Sequence, residues 1–297
     1  MSPFSQLPQS PPESIRSPLA NNQITKAYLV HFEKRNILKG KTTALKILRN
    51  QERHMSTIAS DLRVKVRPSA ARGHVDAGWL KSAHSFSFAN YFDRNNMNFH
   101  NLRVINDDWV AAGGGFPMHP HENFEIFSYM LEGALAHEDT MGNGSTVRKG
   151  GIQFMSTGSG VQHSEFNPSS TDETHLLQIW LIPDRKNTTP RYEMLELDDT
   201  ARDGNLQLFL SHDGRDGSIR TEAAADVYSG KLNGDDTINF ELTDERVVYV
   251  HVARGEVQIN GETLKDGDAI EAEGNGTLEL TNGKDAEVVL FHLSPRR

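Results

Sequence analysis

The sequence predicts an all-β protein, a sandwich or barrel of short strands, and three observations carry that prediction. From Leu62 onward, short apolar runs rich in Val, Ile, Phe and Tyr alternate with Gly, Asn and Asp. No stretch beyond residue 62 sustains a helical period. The same texture occurs twice, on either side of Pro183 to Pro190, as two similar β-domains in tandem would show. A chain of 297 residues, 36% of them hydrophobic, is long enough for two domains with ordinary cores.

The first 54 residues differ from the rest. They open with Pro3, Pro8, Pro11, Pro12 and Pro18, and Ala27 to Phe32 is their short apolar run, too short for the core of a secretory signal. Two readings fit: a disordered or targeting extension, or upstream sequence attached ahead of a start at Met55-Ser56. Neither adds to the chemistry. Nine of the 31 Lys and Arg and three of the 40 Asp and Glu lie here, so this segment is at +6 and the remainder at -15. A body that acidic repels phosphate backbones, which argues against direct nucleic-acid binding. The expected domains are an extension over 1–61, a first β-domain over 62–185 and a second over 186–297.

In order, Leu62 to Val66, His84 to Phe92, Leu102 to Ile105, Phe124 to Leu131, Ile152 to Met155, Val161 to Phe166 and Leu176 to Ile182 read as strands of the first domain. Gln207 to Leu210, Val227 to Leu232, Val247 to Val252, Glu256 to Ile259, Thr277 to Leu280 and Val288 to Leu293 form the second series. Within it, Asn260-Gly261 signals a two-residue hairpin turn. There is no cysteine, which removes disulfides, zinc-thiolate sites, iron-sulfur clusters and a thiol nucleophile, and leaves His, Asp and Glu as metal ligands. No apolar run approaches the roughly 20 residues of a membrane helix. A soluble, cytoplasmic monomer is expected.

The chemistry concentrates between Gly113 and Asn167. Residues two apart on a strand share a face, so His119 with His121, and His163 with Glu165, make two claws. Each follows a glycine-rich loop, Gly113 to Gly115 and Thr157 to Gly160. Three imidazoles and a carboxylate suit a divalent transition metal, iron, manganese, nickel, copper or zinc, and leave positions open for substrate. Counting on by twos from His121 puts Glu125 towards the metal and Phe127, Tyr129 and Leu131 along an apolar cavity beside it. Glu165 is expected as the fourth ligand, with Glu125 as a supporting group or base, although Glu125 competes for the same position.

Other candidates have plainer readings. His137, Glu138 and Asp139 read as a solvated polar cluster, and His74, His84, His100 and His175 as structural histidines, with His175 or Gln178 able to support a ligand. Trp79, Phe86, Phe88, Trp109 and Trp180 read as core aromatics, one or two of which wall the cavity. The second domain holds His212, His251 and His292 without a His-x-His pair, so its interior is expected to be metal-free and to serve packing or closure.

The segment Gly115 to His121, with Glu125 and Gly133, resembles the first cupin motif, and Gly151 through His163 to Asn167 resembles the second. More closely, His-Pro-His-x-x-x-Glu, Ala136 to Asp139 and Gly160 to Glu165 resemble the bacterial members of the pirin family of bicupins. Arg72 to His74, Gly78 to Leu80, Phe86 to Tyr91, Arg103 to Asp108 and Thr189 to Tyr192 extend the likeness, which covers about residues 62–297. The resemblance implies two jelly-roll cupin domains, with one metal, usually iron(II), held in the first by His119, His121, His163 and Glu165. It implies a quercetin 2,3-dioxygenase activity, which opens a flavonol with O2 and releases carbon monoxide, with Glu165 or Glu125 taking the proton of the 3-hydroxyl. It also includes members described as redox-responsive partners of transcription factors, so a non-enzymatic metalloregulator bound to a protein partner is the alternative. A metal-storing protein with incidental oxidation is the third.

Overall fold

The structure is a computed structural model, which describes residues 61–243 and 245–295. The expected extension, apart from Asp61, lies outside the described residues. The first series of strands is β1 (Arg63–Arg67), β2 (Gly73–Asp76), β3 (Leu80–His84), β4 (Leu102–Val110), β5 (Gly115–His121), β6 (Glu125–Glu132), β7 (Ala134–Asp139), β8 (Gly144–Arg148), β9 (Gly151–Ser156), β10 (Val161–Phe166), β11 (Thr174–Leu181) and β12 (Arg191–Glu196). A single-turn helix, α1 (Asp199–Arg202), is capped by the Asp198 carboxylate, which accepts from Thr200 N. The second series is β13 (Leu206–Ser211), β14 (Ile219–Arg220), β15 (Ala225–Leu232), β16 (Thr237–Leu242), β17 (Val247–Ile259), β18 (Glu262–Lys265), β19 (Ala269–Glu273) and β20 (Gly276–Leu293). At the β17–β18 hairpin, Asn260 and Gly261 both have positive φ (49° and 84°), the backbone a two-residue turn demands.

Two β-sandwich domains result. In the first, a seven-stranded sheet of order β12-β9-β6-β11-β4-β3-β2 faces a four-stranded sheet of order β5-β10-β7-β8. The second is built on a nine-stranded sheet whose main path is β1-β19-β17-β20-β15-β13-β14. Each half lends a strand to the other: β1 pairs with β19, and β12 pairs with β9. The expected division at residues 185 and 186 therefore cuts across both sheets.

The seven-stranded sheet is buried on both faces, which is why β6 and β11 read as near-continuous apolar runs. One face presents Ile105, Phe127, Tyr129, Leu177 and Ile179 to Phe209, Val227, Tyr249 and Phe291 of the second domain. Each such side chain removed from water contributes about 2 kcal/mol. The opposite face places Val110, Met130 and Leu176 against Leu135 and Val147 of the four-stranded sheet. The interior of the second sandwich is filled by aliphatic side chains, among them Val248, Val250, Val257, Ile259, Leu264 and Ile270.

Three strand expectations are corrected. Val247 to Val252 and Glu256 to Ile259 are one strand, β17, and Thr277 to Leu280 and Val288 to Leu293 are one strand, β20, because the breaks between them are bulges in the β17–β20 ladder and not turns. His84 ends β3, and the segment expected as a strand to Phe92 runs on as a loop. Ala89 has φ 48°, and the Ser87 hydroxyl bonds both the backbone N and O of Asp93 at 2.8 and 2.9 Å. Turn bonds satisfy polar groups that a ladder would otherwise have paired.

Candidate metal centre

Strands β5 and β10 are antiparallel neighbours, with His119 directly opposite His163 and His121 opposite Val161. That register brings His119, His121 and His163 to one place. The ring centroids of His119, His121 and His163 are 4.5 to 4.9 Å apart, and one nitrogen from each lies within 4.8 Å of the other two. The register shifts between His163 and Glu165, so Glu165 comes to lie opposite Phe116 and His137. Close approach of the strands there requires glycine: a Cβ on Gly115 would stand 2.3 Å from the Glu165 carbonyl oxygen.

Hydrogen bonds orient these side chains. His119 Nδ1 is 2.7 Å from the Pro117 carbonyl, which leaves Nε2 bare and facing His163 Nε2 at 3.1 Å. Burial, with the neighbouring imidazoles, pushes His163 down to about 3 and His121 down to about 4. Both rings are therefore neutral at pH 7, the form that binds a cation. Glu165 is 2% exposed, and both its oxygens are engaged. Gln153 Nε2 donates to Oε1 at 2.8 Å, Gln178 Nε2 donates to Oε2 at 2.8 Å, and Ser128 Oγ reaches Oε1 at 3.3 Å. Three converging imidazole nitrogens fit a divalent transition metal, and Glu165 belongs to a second, overlapping group with His137 and His163.

A cavity of about 200 Å3 adjoins the histidines. Leu80, Phe88, Phe116, Ile126 and Trp180 form its apolar lining, and Ser82, His84, Asn106, Asp108 and Gln178 its polar part. Trp180 meets His121 and Phe88 edge-on, with centroids 4.7 and 5.4 Å apart. Of the five aromatics read as core, Phe88 and Trp180 thus wall the cavity. Trp79 packs edge-on against Phe116, Phe86 lies in the core shared by the two domains, and Trp109 stacks on His175.

Three expectations are corrected here. Glu125 does not face the histidines: its carboxylate accepts from Ser156 Oγ (2.6 Å), Thr221 Oγ1 (2.9 Å) and Glu222 N (2.9 Å), tying the first domain to the second. Phe127, Tyr129 and Leu131 likewise turn to the second domain, where the Tyr129 hydroxyl meets Arg202, Ser229 and Glu287. The cause is one change of phase. Between His121 and Glu125 the chain passes from the four-stranded to the seven-stranded sheet through Asn123, whose φ is 57°, so counting by twos does not carry across. His137, read as solvated, is 1% exposed and stacks on Tyr192; its Nε2 is 3.1 Å from Asp139 Oδ2, and its Nδ1 accepts from Gln153.

Ser128 and Gln153, which hold Glu165, and Asn106 and Asp108, which line the cavity, carry no role in the sequence reading, and His84, read as structural, lines the cavity too. Two adjacent aspartates in an apolar strand were the available signal. Asp107 turns to the domain interface, where Arg72 (3.1 Å) pairs with its carboxylate and His175 Nε2 lies 2.6 Å from it. Asp108 turns to the cavity, and burial raises it to about 7, reinforced by the charges of Asp107 and Glu165 and opposed by the Ser82 hydroxyl.

A tandem of jelly-roll domains, the first with histidines from two strands converging beside a cavity and the second filled with aliphatic side chains, defines a bicupin with a His-rich metal site. A pirin family model matches residues 65–181, and a model of the quercetinase C-terminal cupin domain matches residues 208–293. The chain belongs to the pirin family. It is 44% identical over 232 residues to a quercetin 2,3-dioxygenase of Escherichia coli K12, covering 78% of this chain and 99% of that one. It is 37% identical to a pirin-like protein of Caulobacter vibrioides over 227 residues, covering 75% and 97% respectively. The solved structure of the Escherichia coli bacterial pirin YhhW in complex with nickel(II) superposes with a TM-score of 0.75 at 42% identity, over 79% of this chain and all of that one. No helix among the described residues is long and apolar enough to cross a membrane.

Proposed function

We propose that the protein is a metal-dependent dioxygenase that cleaves flavonols such as quercetin with O2 and releases carbon monoxide. The observation that carries this reading is the convergence of His119, His121 and His163 beside a cavity, in a chain 44% identical to a quercetin 2,3-dioxygenase across nearly all of that relative's length. In this reading the three histidines and Glu165 hold iron(II). Nickel in the YhhW structure supports nickel as an alternative occupant, and by donor type the ligand set also suits manganese, copper or zinc, with availability deciding among them. A divalent cation there supplies Lewis acidity towards the enolic 3-hydroxyl of the flavonol.

The remaining work falls to the chain. The Pro117 carbonyl holds the tautomer of His119, and Gln153 and Gln178 fix the Glu165 carboxylate beside the trio. Of the two carboxylates expected to take the 3-hydroxyl proton, Glu125 is turned away, so Glu165 keeps that role. Phe88, Phe116, Ile126 and Trp180 exclude water from the reacting ring. The reading places the reaction in the cytoplasm, in keeping with a cysteine-free chain.

The test is metal analysis of untagged protein, then anaerobic addition of quercetin followed by O2, with flavonol absorbance and carbon monoxide followed together. Stoichiometric metal, flavonol loss with matching carbon monoxide, and a fall of orders of magnitude in His119→Ala are expected. Turnover unchanged in His119→Ala and in chelator-treated protein would refute the reading.

A further inference from the structure

The cavity has a second chemically distinct wall, which the metal ligands do not use. Strands β3 and β4 pair with His84 opposite Asn106 and Ser82 opposite Asp108, and Asn106 is in turn opposite Gln178 of β11. Side chains on neighbouring rungs of one sheet face form a continuous strip. Five buried polar atoms along it have no hydrogen-bond partner: Ser82 Oγ, His84 Nδ1, Asn106 Oδ1, Asp108 Oδ1 and, from β11, Trp180 Nε1. Buried polar groups are rarely left so, and here they gather in residues lining a single cavity. By contrast, the amide nitrogens of Gln153 and Gln178 are both engaged by Glu165.

The strip is as buried as the deepest of the three histidines: His84, Asn106 and Asp108 are 2 to 3% exposed and His163 is 1% exposed, whereas His119, His121 and Trp180 are half-buried. Its chemistry is mixed. Two oxygens accept, the indole N–H donates, and the imidazole Nδ1 does either according to its tautomer. Apolar side chains, Leu80, Phe88, Phe116 and Ile126, complete the same cavity. An apolar slot with a strip of donors and acceptors matches a flat aromatic ring that carries hydroxyl groups. At about 200 Å3 the cavity is below the roughly 300–1,000 Å3 of ordinary ligand sites, so one end of a three-ring molecule enters it.

We propose that His84, Asn106, Asp108 and Trp180 form the specificity subsite of the enzyme. They bind ring hydroxyls of the flavonol and so select polyhydroxylated flavonols over those bearing the reactive 3-hydroxyl alone. The proposal rests on the dioxygenase reading for its ligand, and its test separates the two. Quercetin and 3-hydroxyflavone share the reactive hydroxyl but differ in the others. The latter is the more apolar, so an apolar slot without the strip would favour it.

Dissociation constants of both compounds are measured anaerobically on metal-loaded full-length protein, by the change in flavonol absorbance, and turnover is measured separately in air. Wild type should bind quercetin about tenfold or more tighter than 3-hydroxyflavone, and Asp108→Leu and Asn106→Leu, which remove the acceptor oxygens, should each reduce that ratio about tenfold. Both substitutions roughly conserve shape, and thermal melting confirms that the variants are folded. If Asp108→Leu does not fold, Asn106→Leu and the wild-type ratio decide. Equal wild-type affinities, or a preference unchanged in the folded variants, would overturn the proposal and leave the strip to ordered water. A preference that the variants erase, in protein that turns over neither compound, would sustain the subsite and remove the dioxygenase reading.

Discussion

Asp108→Asn in metal-free protein should change the pH dependence of stability in a way that follows from the burial of one carboxyl group. Asp108 is fully enclosed, and its folded-state value is raised from 3.8 to about 7. The group is thus protonated in the native state and ionised in the unfolded state across that interval, so the native state binds more protons and stability falls as pH rises. The contribution is fully present below pH 4, declines between about 4 and 7, and is lost above. A rise of about three units at 1.36 kcal/mol each gives a swing of ~4 kcal/mol. Asparagine has the same shape and does not titrate. The variant should match wild type near pH 4 and exceed it by up to ~4 kcal/mol at pH 8, because titrating groups that do not interact with Asp108 cancel in the difference. Urea unfolding of both proteins at half-unit steps from pH 4 to 8 measures this directly. A stability difference that is constant with pH, or one that grows towards acid, would refute the reasoning.

Three further outcomes are expected. Gln153→Ala and Gln178→Ala each remove one hydrogen bond that orients Glu165, and metal affinity should fall about 10- to 100-fold in a chelator competition. Tyr129→Phe removes the hydroxyl shared by Arg202, Ser229 and Glu287 between the domains; unfolding should be easier by about 1–3 kcal/mol, with metal stoichiometry unchanged. In Gly115→Ala the new Cβ meets the Glu165 carbonyl oxygen at 2.3 Å and Phe166 Cα at 2.7 Å, so β5 is forced off β10. Purified protein should then carry much less metal, whereas Gly113→Ala, with open space at its Cβ position, should retain it despite the strain at its φ of 67°.

The histidine claws were legible because their information is local. His119 with His121, and His163 with Glu165, are each two residues apart within one strand, and glycine runs mark where each strand begins. The β-class, most strands, the Asn260-Gly261 hairpin and the absence of a His-x-His pair in the second half are local in the same sense. Glu125, Phe127 and Tyr129 were misplaced because the inference crossed Asn123, where the chain changes sheets and the alternation restarts. His137 was misread because a polar run such as His137-Glu138-Asp139 looks solvated until tertiary packing covers it; here Tyr192 from a distant strand lies on the ring.

By itself, then, the sequence determined which residue types could hold a metal, their two-residue spacing and the strand class that puts each pair on one face. Tertiary structure alone decided that β5 and β10 would be neighbours, that Gln153 and Gln178 from two other strands would hold Glu165, and that Asp107 and Asp108 would face different worlds. The physical reason is that strand periodicity specifies two faces but does not label them. Which face meets the second domain and which meets the cavity is settled by where the apolar surfaces of three sheets find one another.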